Sequence, residues 1–346
     1  MPAFFPESRA RAVKLLLVDG SAAPDPTVAG AAARLAALLT GDAGGLRDPG
    51  RSDLCFEETL QLRPLERGAA PAEVWAVDGG QALVADARCL QVYVTRAARA
   101  RWRDGRTVME DEGTLRAWLI GLGEERKALT ALGAPVAEGS PVDVNLLRDW
   151  GEWEAVAACV EEAVAGSAVL ADGDLQPDWR IPSAWLANLL AAAAARGVLV
   201  AGVTKHTSLS WGGRPLLGVL ERRAECELGP RACWWAPVAR TRPDVDAGIQ
   251  VVAARLDPDA RFSFRVDLPG GTEPAGALAA LSALSDDAAF PGYPYPLSVA
   301  DRLAACPGWV RDEAWAVIRE TLGVAGVPEE VTERAFVDRH GLMERA

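Results

Sequence analysis

The sequence predicts an α/β protein in which helices pack on a mixed sheet. Three observations predict it. Short apolar runs bounded by turn residues follow one another from Val74, helical stretches then alternate with strands over 145–205, and "ACWWAPVAR", "GIQVVAARLD" and "RFSFRVDLP" supply three more strands. At 346 residues the chain can hold about two domains, or one large domain with insertions. No solenoid period is visible.

Taken in order, residues 1–70 read as an accessory, mostly helical region, in which "TVAGAAARLAALLTG" precedes the connector "GDAGGLRDPGRSD". Residues 71–346 read as the main domain, with a helical insertion around 110–165. Within it "VWAVDGG", "QALVADA" and "CLQVYVTRAARARW" are expected to form an antiparallel meander whose central turn holds Asp78. Helices are expected from Glu112 to about Leu132 and from Asn145 to Val164. The second leads into the strand "AVLADG", as in a right-handed αβ unit. A helix from Pro182 to Arg196, the strand "GVLVAGVTK" and a polar turn "HTSLSWGGRP" repeat that plan. "FPGYPYPLSVADRLAAC" bends into another helix, and a helical tail starts near Arg311.

Composition narrows the function. The start lacks the ordered regions of a signal peptide, and the most apolar segment, from Ala184, carries Asn188 and Arg196 and reads as a buried helix feeding a strand. A cytoplasmic protein with no membrane association is expected. Six cysteines without CxxC spacing argue against zinc and read mostly as small core residues. The net charge of −12 is unlike that of a protein that grips duplex DNA unaided, since phosphate contacts dominate such affinity. Nucleic-acid binding would need a local basic surface, bound cations or a partner that delivers the strand.

The candidate chemistry lies in two Asp-Gly pairs. Asp78-Gly79 and Asp172-Gly173 each end an apolar run, so each carboxylate would project beyond a sheet edge while the glycine admits close approach. Converging carboxylates repel unless they share a proton or a cation, and hard oxygen donors suit Mg²⁺ or Mn²⁺. A third acid is available on the preceding helix, where Glu152 and Glu154 flank Trp153; one should face the sheet and the other solvent. Arg148, one turn upstream, would brace Glu152 or contact phosphate. Asp-Gly is also an ordinary turn, and Asp19-Gly20 looks the same in a region without the meander.

The ordered pieces "WAVDGGQALVADAR", "VLADGDLQ", "VAGVTKHTSLSW", "FSFRVDLP" and "FPGYPYPLSVADRLA", across about residues 74–305, resemble the NurA nuclease family. The resemblance implies an RNase H-like, PIWI-related fold, with residues 71–346 as the nuclease domain, and a homodimer. It further implies an enzyme using one or two Mn²⁺ or Mg²⁺ ions as a single-strand endonuclease and 5′–3′ exonuclease, in DNA end resection with a HerA-type hexameric helicase. Carried over, the family's metal-binding aspartates fall on Asp78 and Asp172, its helical glutamate on Glu154 with Glu152 as rival, and its C-terminal tyrosine on Tyr293, with Tyr295 close by. Eight residues after that tyrosine, where members often have histidine, this chain has Asp301. An aspartate there can still ligate a hard cation, but not as a neutral imidazole.

Lys205, one of three lysines, ends a strand and would contact the scissile phosphate as a point charge. His206 reads as a solvated turn residue and His340 as surface. Trp234, Trp235 and Trp211 read as core before stacking faces, and the basic run Arg96–Arg103 as either a strand-binding groove or a solvated edge. Two rivals remain: an actin- or hexokinase-like phosphotransferase with "VDGGQALVADAR" as phosphate loop, and an inactive scaffold that docks the helicase.

Overall fold

The computed structural model describes residues 27–40, 45–48, 53–242 and 248–337; Asp19-Gly20 and His340 lie outside them. Helix α1 (Val28–Thr40) precedes three short strands, β1 (Leu46–Arg47), β2 (Leu54–Phe56) and β3 (Arg63–Pro64). Then come β4 (Glu73–Asp86), β5 (Gln91–Arg103), β6 (Arg106–Asp111), β7 (Arg116–Ile120), α2 (Glu124–Leu132) and α3 (Val144–Glu162). The αβ units follow as β8 (Ala168–Asp172), α4 (Ser183–Ala195) and β9 (Leu199–Thr204). After β10 (Ser210–Trp211), β11 (Arg214–Pro215) and α5 (Leu216–Glu227), the chain forms β12 (Trp234–Thr241), β13 (Ile249–Arg255) and β14 (Phe264–Pro269). It closes with α6 (Pro274–Ser282), α7 (Tyr295–Ala304), α8 (Gly308–Val324) and α9 (Glu329–Phe336).

The main sheet runs β2-β12-β13-β14-β9-β8-β4-β5-β6, with β3 also on β12 and β7 also on β5. One end of it is an antiparallel meander, β4-β5-β6, with β8 and β9 added parallel to β4. That is the RNase H-like pattern. Strand alternation sorts the central residues onto two faces. Val74 and Ala76 join Leu170, Val203, Leu297 and Leu303 under α7, whereas Trp75 and Val77 join Trp153, Val156 and Leu190 under α3 and α4. Truncating a fully buried member such as Leu297 would cost about 2–5 kcal/mol.

Several expectations are corrected. Asp78 is not in a turn: "VWAVDGG" and "QALVADA" form one continuous strand, with Gly79 and Gly80 paired to Ala97 and Arg96. What ends at Asp78 is the parallel ladder to β8, whose last pair with β4 is Val77–Ala171; beyond it β4 and β5 continue as an arm that β7 joins on the far side of β5. The glycines are needed for close approach, since a Cβ at 79 would lie 2.5 Å from Glu152 Oε2 and one at 80 would lie 1.8 Å from the Ala304 carbonyl oxygen.

The helix expected from Glu112 begins only at Glu124, because the apolar "RAWLI" pairs with the β5 arm as β7. The polar turn after β9 holds the β10–β11 hairpin, and α5 follows it. Before residue 70 the described residues are helical at 28–40 and extended at 54–56 and 63–64, where β2 and β3 pair with β12. Only Cys159 of the six cysteines is buried; Cys55, Cys89 and Cys226 sit on an edge strand, in a hairpin turn and on the outer side of α5. Among the described residues no helix is long and apolar enough to cross a membrane.

Candidate active site

Side-chain parity builds the site. Ala76, Leu170 and Val203 all lie in the core beneath α7, so the residues two further along, Asp78, Asp172 and Lys205, project on the same side. Register brings them level, because Val77 faces Ala171 and Asp172 faces Val203. Helix α7 carries Asp301 over these strand ends, and Tyr293 lies one residue before its N-cap, Pro294. One carboxylate oxygen from each of Asp78, Asp172 and Asp301 lies within 4.8 Å of the other two.

Such crowding disfavours ionisation. Burial first, and then the charge of Asp172, push the Asp78 pKa up to about 7, against a backbone hydrogen bond that Gly79 N donates over 2.7 Å. Burial also raises the Asp172 pKa, outweighing its bonds from Lys205. Lys205 Nζ donates to Asp172 Oδ2 over 2.6 Å and to Asp301 Oδ1, and sits 5.1 Å from the Tyr293 ring centre. Burial alone would depress the lysine pKa, but those two bonds raise it. Tyr293 is 1% exposed, and its hydroxyl makes no hydrogen bond within the described residues. Burial, then the charge and the carboxylate of neighbouring Asp172, hold that phenol well above its ordinary pKa, so it stays protonated beside Asp172.

Glu152 reaches Asp78 from the opposite layer through the space left at Gly79. It is buried, and Arg148 Nη1 donates to it over 2.8 Å. Burial, opposed by Arg148 and reinforced by Asp78, raises its pKa well above the usual range. Glu154 is elsewhere. It pairs with Arg116 over 3.2 Å and lines, with Arg96 and Arg99, a separate cleft of about 580 Å³. Asp78, Asp172, Asp301, Lys205 and Tyr293 are thus brought together with Glu152 behind them, while Glu154 is not. His206 is exposed in the turn after β9, and Tyr295 is 40% exposed.

The donor set fits a hard divalent cation. Three converging carboxylates and the neighbouring Tyr293 hydroxyl offer only oxygen, and a cation would relieve the repulsion that helps raise the Asp78 pKa.

A second buried network was not read from the sequence. Arg265, 3% exposed on β14, donates to both oxygens of Asp267 over 2.8 Å, and Asp267 accepts from Leu175 N over 3.2 Å. Asp174 lies 3.4 Å from the same guanidinium, so this pair anchors the loop just after Asp172. Its sequence signal is opposite charges two apart on an otherwise apolar strand. The basic run of β5 is spent on acids: Arg96 on Glu112, Arg99 on Asp111 and Glu162, and Arg101 and Arg103 on Glu73. Trp234 and Trp235 are buried core.

No family model and no curated protein matches the sequence. Among solved structures, the NurA nuclease from Sulfolobus solfataricus is similar with a TM-score of 0.50 at 15% identity, covering 77% of this chain and 88% of that one. A NurA structure with manganese has a TM-score of 0.45 at 10% identity, covering 75% of this chain and 91% of that one. The catalytic domain of human endonuclease V has a TM-score of 0.36 at 15% identity, covering 77% and 92%. The chain has a NurA-like fold.

Proposed function

We propose that this chain is a divalent-metal-dependent DNA nuclease that acts on single strands and DNA ends. The observation that carries the reading is the meeting of three carboxylates from three separate elements, Asp78, Asp172 and Asp301, within 4.8 Å. Asp78, Asp172 and Asp301 hold one or two Mn²⁺ or Mg²⁺ ions, with Glu152, and not Glu154, as the fourth acid. Bound there, the metal supplies an activated water and stabilises charge on the attacking and leaving oxygens.

The chain's own groups do the rest. Lys205 contacts a phosphate oxygen as a point charge, and the Tyr293 hydroxyl, protonated at neutral pH beside Asp172, donates a hydrogen bond into the site. Arg148 holds Glu152 against Asp78. A phosphotransferase reading has less support, because the space beside Gly79 and Gly80 is taken by Glu152 and the Ala304 carbonyl, not left for a nucleotide phosphate.

The NurA-like fold motivates a homodimer working with a HerA-type helicase in end resection. With a net charge of −12 the protein is a poor unaided ligand for DNA, so a translocase that feeds the strand meets a physical need. In the direct test, Asp78→Asn abolishes Mn²⁺-dependent cleavage of single-stranded DNA while circular dichroism and thermal unfolding report an intact fold. Wild-type cleavage by a folded Asp78→Asn variant refutes the reading.

A further inference from the structure

We infer that the Lys205 ammonium is the resident cation of the three-aspartate notch, and that a divalent ion enters by displacing it. The inference rests on the metal-site reading proposed above. Lys205 Nζ bonds to Asp172 Oδ2 at 2.6 Å and to Asp301 Oδ1, so it holds the carboxylates of two of the three aspartates that converge within 4.8 Å. A hard divalent ion held by the three aspartates would draw on those same two carboxylates at about 2.0–2.6 Å. The ammonium competes with the ion for their negative charge and repels it.

Lys205 is built to leave. It follows the last residue of β9, its side chain is one-third exposed, and its hold consists of two ion pairs and the face of Tyr293. Once displaced, the four-carbon stem carries the charge outward, where an approaching phosphate oxygen can replace the lost carboxylates. One residue is thus counter-ion before metal binding and phosphate contact after it.

The consequence has an unusual sign: removing Lys205 should strengthen metal binding while slowing cleavage. Mn²⁺ titration calorimetry on the DNA-free, full-length protein tests it with Lys205→Met beside Arg302→Met. Arg302 lies next to Asp301 in sequence, but its guanidinium pairs outward with Glu110, so its loss removes the same charge without emptying the notch. Lys205→Met is expected to bind Mn²⁺ about tenfold more tightly than wild type, the size set by two partly buried ion pairs, and Arg302→Met within about twofold. Equal or weaker binding by Lys205→Met, or a gain no larger than that of Arg302→Met, overturns the inference while leaving the metal site standing. Absence of Mn²⁺ binding in both wild type and Lys205→Met overturns the metal-site reading and this inference together.

A second measurement guards against a variant that does not fold. The chain has only Lys14, Lys127 and Lys205, so reductive ¹³C-methylation gives three lysine resonances beside that of the terminal amine. Mg²⁺ should move the Lys205 resonance and leave the other two in place; an unmoved Lys205 resonance at Mg²⁺ saturation overturns the displacement.

Discussion

Gly80→Ala tests how closely the fold determines the site. A Cβ on Gly80 would lie 1.8 Å from the Ala304 carbonyl oxygen and 2.8 Å from its carbonyl carbon, both backbone atoms at the end of α7. Reaching even a 3.0 Å contact requires a retreat of about 1.2 Å. Ala304 shares its last turn with Asp301, whose carbonyl accepts from Ala305 N, so Asp301 moves with it. Metal sites tolerate only about 0.2 Å of ligand displacement. The helix is seated by buried Leu297, Ala300 and Leu303, and overpacking of this kind costs about 1–3 kcal/mol, partly offset by about 0.4–1 kcal/mol from a stiffer unfolded chain. We therefore expect a loss of about 1–2 kcal/mol in urea unfolding of the ion-free protein, together with at least tenfold weaker Mn²⁺ binding by calorimetry. Gly79→Ala is the comparison: its Cβ meets the movable Glu152 carboxylate at 2.5 Å, so its unfolding cost should be smaller. Wild-type stability and Mn²⁺ affinity in Gly80→Ala would refute the claim that α7 sets the position of Asp301.

Asp267→Ala removes the bidentate partner of nearly buried Arg265 and the acceptor for Leu175 N; we expect a loss of about 3–5 kcal/mol in urea unfolding, and a loss below about 1 kcal/mol would count against the network. Asp149 has its pKa pushed up to about 6, chiefly by burial, from an ordinary 3.8. The folded carboxyl holds its proton more tightly than the unfolded one, so stability falls as pH rises from about 4 to about 6. Asp149→Asn, which keeps an acceptor for Asp178 N, should remove that slope and be more stable at pH 7 by about 1 kcal/mol, discounted for partial exposure, with no difference near pH 3.5. Parallel slopes in the two proteins would rule this out. Asp301→His replaces an oxygen donor with imidazole and should raise the ratio of Zn²⁺ to Mg²⁺ affinity in calorimetry; an unchanged ratio argues that Asp301 does not ligate.

What was legible in the sequence tracks how local its cause is. The strand before Asp172 and the helix feeding it were readable because both are periodic and end at a turn. Asp78 was readable as a residue of interest but not in its place, because Asp-Gly-Gly looks like a turn when the partners that require glycine, Glu152 and Ala304, lie 73 and 224 residues away. Glu152 against Glu154 was decidable from a finer signal: Val156 and Cys159, four and seven residues on from Glu152, are buried on its side of α3, whereas Glu154 shares its side with Glu161 and Glu162. The arginine run could not be assigned, since its partners come from three separate parts of the chain, at Glu73, at Asp111 and Glu112, and at Glu162.

The pairing of those arginines bears on why the cation bonded inside the notch is a lysine. Only three of the 36 basic residues are lysines, so Lys205 goes against the composition of the chain. A guanidinium would grip a carboxylate with a planar two-bond fork, as Arg265 grips Asp267, and a fork seated that way resists displacement. An ammonium on a flexible stem binds the same oxygens as a point charge and gives them up to a better cation. On the proposed function, the carboxylates must be kept ionised and apart before the metal arrives and surrendered when it does. Lysine meets both demands and arginine meets only the first, so Lys205→Arg should keep the fold, weaken Mn²⁺ binding relative to wild type, and separate the two demands in one calorimetric titration. Tighter Mn²⁺ binding by that variant would contradict this account of the residue choice.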